Sequence, residues 1–187
     1  VSARDIPNLI TVGRIILTVP TAWALIQDRF GLALALFAVA GVSDGVDGYL
    51  AKRYGWHSRL GSLLDPAADK LLLLTAFVTL GWHGLLPAWL VVGVIVRDLL
   101  IVAGATTYHF WIEPFEGEPS RISKLNTLVQ ILLVVLVVAD RGLIAMPPLL
   151  LDAMVWIVAA TTFASGADYV WVWGRRAALR RSRPDDP

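Results

Sequence analysis

The sequence predicts an all-α integral membrane protein of six transmembrane helices, and three observations carry that prediction. Of its 187 residues 57% are hydrophobic, and the mean hydropathy is +0.66, a composition of membrane proteins and not of soluble domains. The apolar residues gather into runs of about twenty or more, the helical length that crosses roughly 30 Å of hydrocarbon. Lys and Arg are distributed unevenly between alternate connections, as the positive-inside rule requires of a multispanning chain. With no cysteine, disulfide frameworks, thiol catalysis and Cys-ligated zinc are excluded, and the three histidines are scattered. A net charge of +1 gives nucleic-acid binding no support beyond a basic tail.

The first span runs from about Ile6 to Gln27. Pro7 suits a first helical turn, and Asn8, Thr11 and Arg14 recur at intervals of three to draw one polar stripe. Either the stripe anchors the helix at the interface or it faces a polar cavity. The second span covers about Phe30 to Arg53 and the third about Leu60 to Trp82, with Lys70 directly after Asp69. In the fourth, about Pro87 to Trp111, the pair Arg97-Asp98 sits near the middle. An Arg at that depth is expected to face protein, either neutralising an aspartate or holding a substrate. Ile112 to Ile122 is rich in Glu, Pro and Gly and reads as a loop. The fifth span opens on a polar run of Ser123, Lys124, Asn126, Thr127 and Gln130. The sixth extends from about Pro148 to Trp173 and carries Asp152, Ser165 and Asp168. Arg175 to Pro187 is a basic tail, and no linker or repeat divides the chain, so 1–187 reads as one domain.

Six spans place both termini on one side. Arg4, Lys52, Arg53, Arg59, Arg121, Lys124 and five tail arginines fall on that side, against Arg29 and Arg141 on the other. The termini, the turn near 53–60 and the connection between the fourth and fifth spans are therefore expected to be cytoplasmic. No cleavable signal peptide or Ser/Arg-rich transit peptide is apparent. Together with the short loops, this points to a bacterial inner (plasma) membrane.

Ser43 to Lys70 holds four aspartates in this apolar context, Asp44 and Asp47 three apart and Asp65 and Asp69 four apart. On helices each pair projects from one face. Positions 44 and 69, like 47 and 65, are nearly symmetric about a turn near Tyr54-Gly55-Trp56-His57. An antiparallel return would bring all four carboxylates to one depth, roughly 12 to 18 Å from the turn at about 1.5 Å per residue. Unpaired at mid-membrane they would cost roughly 10 kcal/mol or more on insertion scales. Two divalent cations would balance them, and hard oxygen ligands suit Mg2+ or Mn2+. Such a site clamps the oxygens of a phosphoryl displacement. Gly41, Gly45, Gly48 and Ala51, with Gly61 on the returning helix, leave room for a ligand beside the acids.

The run D-x2-D-G-x2-A-K-x8-G-x3-D-x3-D, from Asp44 to Asp69, resembles the signature of the CDP-alcohol phosphatidyltransferase family. The resemblance implies that Asp44, Asp47, Asp65 and Asp69 ligate two metals, Mg2+ or Mn2+, and that Asp69 is also the general base. It further implies that Gly48, Ala51, Lys52 and Gly61 line the cytidine and diphosphate pocket, and Asn8 and Thr11 join them if the first helix's stripe faces the cavity. Lys52 stands where the family has Arg, and Lys cannot make the bidentate contact of a guanidinium, so weaker nucleotide contacts are expected there. The flanking stretches IPNLITVGR, RDLLIV, ISKLNTLVQ and ATTFASGADY resemble the eukaryotic-type cardiolipin synthase branch, which transfers a phosphatidyl group from CDP-diacylglycerol to phosphatidylglycerol. On that resemblance Arg97, Arg121 and Lys124 are candidates to hold the acceptor, CMP leaves, and the assembly is a homodimer. The related phosphatidylglycerophosphate synthases, with glycerol-3-phosphate as acceptor, share the signature. A lipid acceptor needs a side opening to the bilayer and a soluble dianion needs a closed basic pocket. From another class, an ion or proton-coupled transporter also buries acids. Clustering of all four in one hairpin, without an inverted repeat, argues against it.

Overall fold

The computed structural model describes residues 6–54, 59–111 and 120–181, with the side chains of 6–9, 47–48, 50–52, 59–67, 105–111 and 172–181 outside the description. Six helices make up the described chain: α1 (Ile6–Ile26), α2 (Phe30–Tyr54), α3 (Arg59–Trp82), α4 (Ala88–Trp111), α5 (Arg121–Gly142) and α6 (Pro148–Arg181). No strand occurs among the described residues. Two of the helices, over Arg121–Gly142 and Pro148–Trp171, are long and apolar enough by themselves to cross a membrane.

The helix ends follow local chemistry. Ser120 caps α5, its hydroxyl accepting from Ser123 N–H at 3.2 Å, so the helix begins at Arg121, inside the segment expected to be a loop. The helix α6 continues through Arg181, past the expected end at Trp173, because Ala177, Ala178, Leu179 and the arginines around them are strong helix formers. The basic tail is thus helical over 175–181. Residues 182–187 lie outside the described set, as do 55–58 of the turn and 112–119 of the connection.

Packing closes the helices into a ring in the order α2, α1, α3, α4, α6, α5, with α3 also touching α5 across it. The most extensive contacts are those of α1 with α3 and with α2, and among the described residues α2 and α3 do not pack directly on each other. Among the described residues α1 lies between α2 and α3. Pro20 lies inside α1, and Thr18 and Thr21 donate to the carbonyls of Arg14 (3.2 Å) and Leu17 (2.7 Å), the kind of side-chain bond that supports backbone near a proline.

The interior is divided along the helix axes. Toward the 27–29, 83–87 and 143–147 connections it is apolar, built around Leu25, Phe77, Leu80, Leu90, Leu133 and Val158. Toward the other end it is polar, with Thr11, Arg14, Arg97, Asn126 and Ser165 all buried. Outside, large apolar side chains stand exposed, among them Ile16, Val19, Leu149 and Phe163. This is the reverse of a soluble bundle, in which water would exclude those side chains.

Candidate active site

Arg14 sits at the meeting point of three helices. Its side chain is 1% exposed, and its Nη1 lies 2.7 Å from Asp44 Oδ1 on α2 and also donates to Asp69 Oδ1 on α3. A guanidinium this deeply buried persists only where charged partners meet it. Because one nitrogen reaches both carboxylates, the first and last aspartates of the signature stand side by side, as their near-mirror positions about the turn require. Each aspartate side chain is 47% exposed. The two carboxylates are therefore half-exposed, with the guanidinium that joins them buried. One turn earlier on α1, Thr11 is fully buried, so Thr11 and Arg14 of the first helix's polar stripe face inward.

The remaining predicted residues fall into place unevenly. Asn8 lies on α1, Asp47, Gly48, Ala51 and Lys52 on α2, and Gly61 and Asp65 on α3; their side chains lie outside the described residues. Both helices run unbroken through the signature, which keeps Asp44 with Asp47, and Asp65 with Asp69, on common faces. Adjacent, half-open carboxylates from two helices are a donor set that fits a hard divalent cation. No group of three or more His, Cys, Asp or Glu gathers among the described residues, a set that leaves out the side chains of Asp47 and Asp65.

A second charged cluster adjoins the first. Lys70, directly after Asp69, has its Nζ 3.4 Å from Asp98 Oδ1, and Arg97 Nη1 is 2.6 Å from the same oxygen. Arg97 is buried. Its Nε and Nη2 donate to Ser165 on α6, and Nη2 also donates to Ser123 on α5 at 2.6 Å. Arg97 thus neutralises its neighbour Asp98 and ties three helices together. Arg121 and Lys124 are exposed at the start of α5, and among the described residues no contact joins them to Arg97. Below them, Asn126 Oδ1 accepts from Thr161 (2.8 Å) and Thr162 (3.0 Å) of α6.

Sequence reasoning did not assign Lys70, Asp98, Ser123 or Ser165 to the site, nor Arg14 as its hub. Adjacency was the available signal, since Lys70 follows Asp69 and Asp98 follows Arg97, and a buried base must have an acid. Which serine on another helix completes the set depends on packing that hydropathy does not encode.

The family model for CDP-alcohol phosphatidyltransferases matches residues 4–164, which contain every residue of both clusters except Ser165. The chain belongs to the CDP-alcohol phosphatidyltransferase family. Curated relatives resemble it over most of its length. The Homo sapiens cardiolipin synthase (CMP-forming) is 32% identical, covering 91% of this chain and 62% of the relative. A Schizosaccharomyces pombe cardiolipin synthase (CMP-forming)/mitochondrial hydrolase fusion protein is 33% identical, covering 88% and 30%. The chloroplastic CDP-diacylglycerol--glycerol-3-phosphate 3-phosphatidyltransferase 1 of Oryza sativa is also 33% identical, covering 88% and 56%. This member of the family thus spans between 30% and 62% of these relatives' own lengths.

Proposed function

We propose that the chain transfers a phosphatidyl group from CDP-diacylglycerol to phosphatidylglycerol, forming cardiolipin and CMP. The observation that carries this reading is the convergence of the half-exposed Asp44 and Asp69 on the buried Arg14, in a chain of this family. In the reaction a primary hydroxyl oxygen of the acceptor's glycerol bonds to the phosphatidyl phosphorus. The bond from that phosphorus to the bridging diphosphate oxygen breaks, and its electron pair leaves with CMP. The hydroxyl proton passes to Asp69, whose half-exposed carboxylate is accessible to an acceptor. Arg14 orients the carboxylates of Asp44 and Asp69 from beneath. Asp44, Asp47, Asp65 and Asp69 would hold two divalent cations, Mg2+ or Mn2+, whose charge when bound draws electron density from the diphosphate. Asn8, Thr11, Gly48, Ala51, Lys52 and Gly61 line the CDP-lipid side, and Arg97, Arg121 and Lys124 supply positive charge for the acceptor.

All six helices cross the membrane in this reading, and the ring works as a homodimer subunit. Buried polar groups and an apolar exterior support the spans. The Lys and Arg asymmetry supports a site facing the cytoplasm, in a bacterial inner membrane. The rice relative, at an identity like that of the cardiolipin synthases, keeps glycerol-3-phosphate as the rival acceptor.

A product assay tests the proposal. Purified protein receives CDP-diacylglycerol and Mn2+ with phosphatidylglycerol or glycerol-3-phosphate separately, beside a chelator control. Cardiolipin and CMP from phosphatidylglycerol alone, lost with chelator, is the expected result. Phosphatidylglycerophosphate from the second acceptor would move the assignment to the rival, and CMP from neither would sink the transferase reading.

A further inference from the structure

Between α4 and α6 the bundle surface opens into a groove of about 590 Å³, a size typical of ligand sites. Trp89, Val96 and Leu100 on α4 and Phe163 and Val170 on α6 make it apolar. A Cβ at Gly93, in the groove, would meet nothing within 4 Å, and Phe163 is 81% exposed. The groove therefore opens outward, where the proposed spans put lipid. Its one charged lining residue is Arg97, whose stem lies against Gly166 on the facing helix, Cγ being 3.8 Å from where a Cβ would stand.

The charges there are unevenly placed. Among the described residues Arg97 and Lys70 share one carboxylate, Asp98, while in the adjoining cluster Asp44 and Asp69 share one base, Arg14, so the bases gather on the α4 side and the acids beyond them. Arg97 has five N–H donors. Its bonds to Ser165, Ser123 and Asp98 use Nε–H, both hydrogens of Nη2 and one of Nη1, leaving one Nη1–H. Lys70 in turn adjoins Asp69, the proposed base. An outward-open apolar groove thus has one base in its wall, Arg97, with a spare N–H and with Lys70 on the same carboxylate, and that polarity matches an anionic lipid with its chain in the groove and its phosphodiester inward.

We propose that this groove seats an acyl chain of the lipid acceptor, with the acceptor's phosphodiester drawn to Arg97 and Lys70, so that its free glycerol hydroxyl is presented to Asp69. The inference rests on the proposed phosphatidylglycerol acceptor and adds its route and seat. The acceptor enters sideways from the bilayer, between α4 and α6.

Two measurements test it. In the first, the full chain in nanodiscs is given phosphatidylglycerol with a diazirine in one acyl chain and irradiated. Adducts on the groove faces of α4 and α6 are expected, competed by unlabelled phosphatidylglycerol and not by phosphatidylcholine. Adducts elsewhere, equal competition by phosphatidylcholine, or protection of the face by a second copy of the chain would overturn the proposal. Because this needs no turnover, a chain labelled here that makes no cardiolipin would defeat the proposed function and leave the groove standing. In the second, Gly93→Leu fills the channel from an open position, and Ala167→Phe fills it from α6. Each should lower the kcat/KM preference for phosphatidylglycerol over its deacylated counterpart, glycerophosphoglycerol, by about tenfold, the worth of roughly two methylenes of contact. An unchanged preference in both variants would overturn the proposal, whether or not total activity falls.

Discussion

Replacing Arg14 with Ala would leave Asp44 and Asp69 side by side without the guanidinium that joins them. Hydrogen bonds to charged groups contribute about 1.5–3 kcal/mol each, and the half exposure of both carboxylates places the expected loss toward the lower figure. In chelator, Arg14→Ala should melt earlier than the parent chain. With Mn2+ present the gap should narrow, because a bound cation supplies the missing charge. Equal melting temperatures in chelator would show that the carboxylates do not depend on Arg14. Asp69→Asn tests the other side of the same contact. It keeps the shape of the side chain and removes the proton acceptor, so kcat should fall by about 10²-fold or more, while CDP-diacylglycerol binding, read by equilibrium titration, is largely retained. Near-normal turnover would remove Asp69 as the base.

At the scale of helices, the end of α5 comes close to the start of α2 through a glycine. A Cβ at Gly142 would stand 2.7 Å from Gly31 N and 2.9 Å from the carbonyl carbon of Phe30. Neither backbone atom can rotate aside, so Gly142→Ala should cost about 1–3 kcal/mol, as overpacking does. The reciprocal change is different: a Cβ at Gly31 would meet Gly142 O at an ordinary 3.9 Å, and Gly31→Ala should leave the melting temperature unchanged or raise it. Similar losses in both variants would mean that the α2–α5 contact is not what limits packing there. The helices themselves were legible in the sequence because long apolar runs separated by short polar breaks leave few other solutions. The end of α6 was not, since a run of arginines looks like a tail until its Ala and Leu neighbours are weighed as helix formers. The wedging of α1 between α2 and α3 was hidden too. Hydropathy reports that a helix is buried but not beside which neighbour, and the stripe of Thr11 and Arg14 hinted only that α1 had a polar face. For the site, fixed spacing revealed the acids, whereas the Arg97, Ser123 and Ser165 cluster joins residues up to 68 positions apart and forms only through the ring.

Across the whole molecule, the ring puts charge inside and oil outside, an arrangement stable only where the surroundings are themselves apolar. Among the described residues two helices meet the length and hydropathy of a membrane span unaided, and the stretches Ile10–Ile26 of α1 and Phe30–Val46 of α2 are apolar but shorter. If all six cross, the 27–29, 83–87 and 143–147 connections share one face of the membrane and Ser120 lies on the opposite face. If only α5 and α6 cross, α1 to α4 stay on the Ser120 side. The absence of cysteine makes the distinction direct, because any introduced thiol is the sole target. Single variants Arg29→Cys, Trp82→Cys and Ile144→Cys occupy exposed positions at the three connections, and Ser120→Cys marks the other end. In spheroplasts, a membrane-impermeant maleimide should label the first three without lysis and Ser120→Cys only after it. Labelling of Ile144→Cys alone before lysis would leave a two-span chain. Labelling of Ser120→Cys before lysis, with the other three protected, would invert the orientation and turn the aspartate site away from a cytoplasmic nucleotide. The positive-inside asymmetry argues against that inversion, because reversing the chain would carry Lys52, Arg53, Arg59, Arg121, Lys124 and the tail arginines across the membrane in exchange for Arg29 and Arg141.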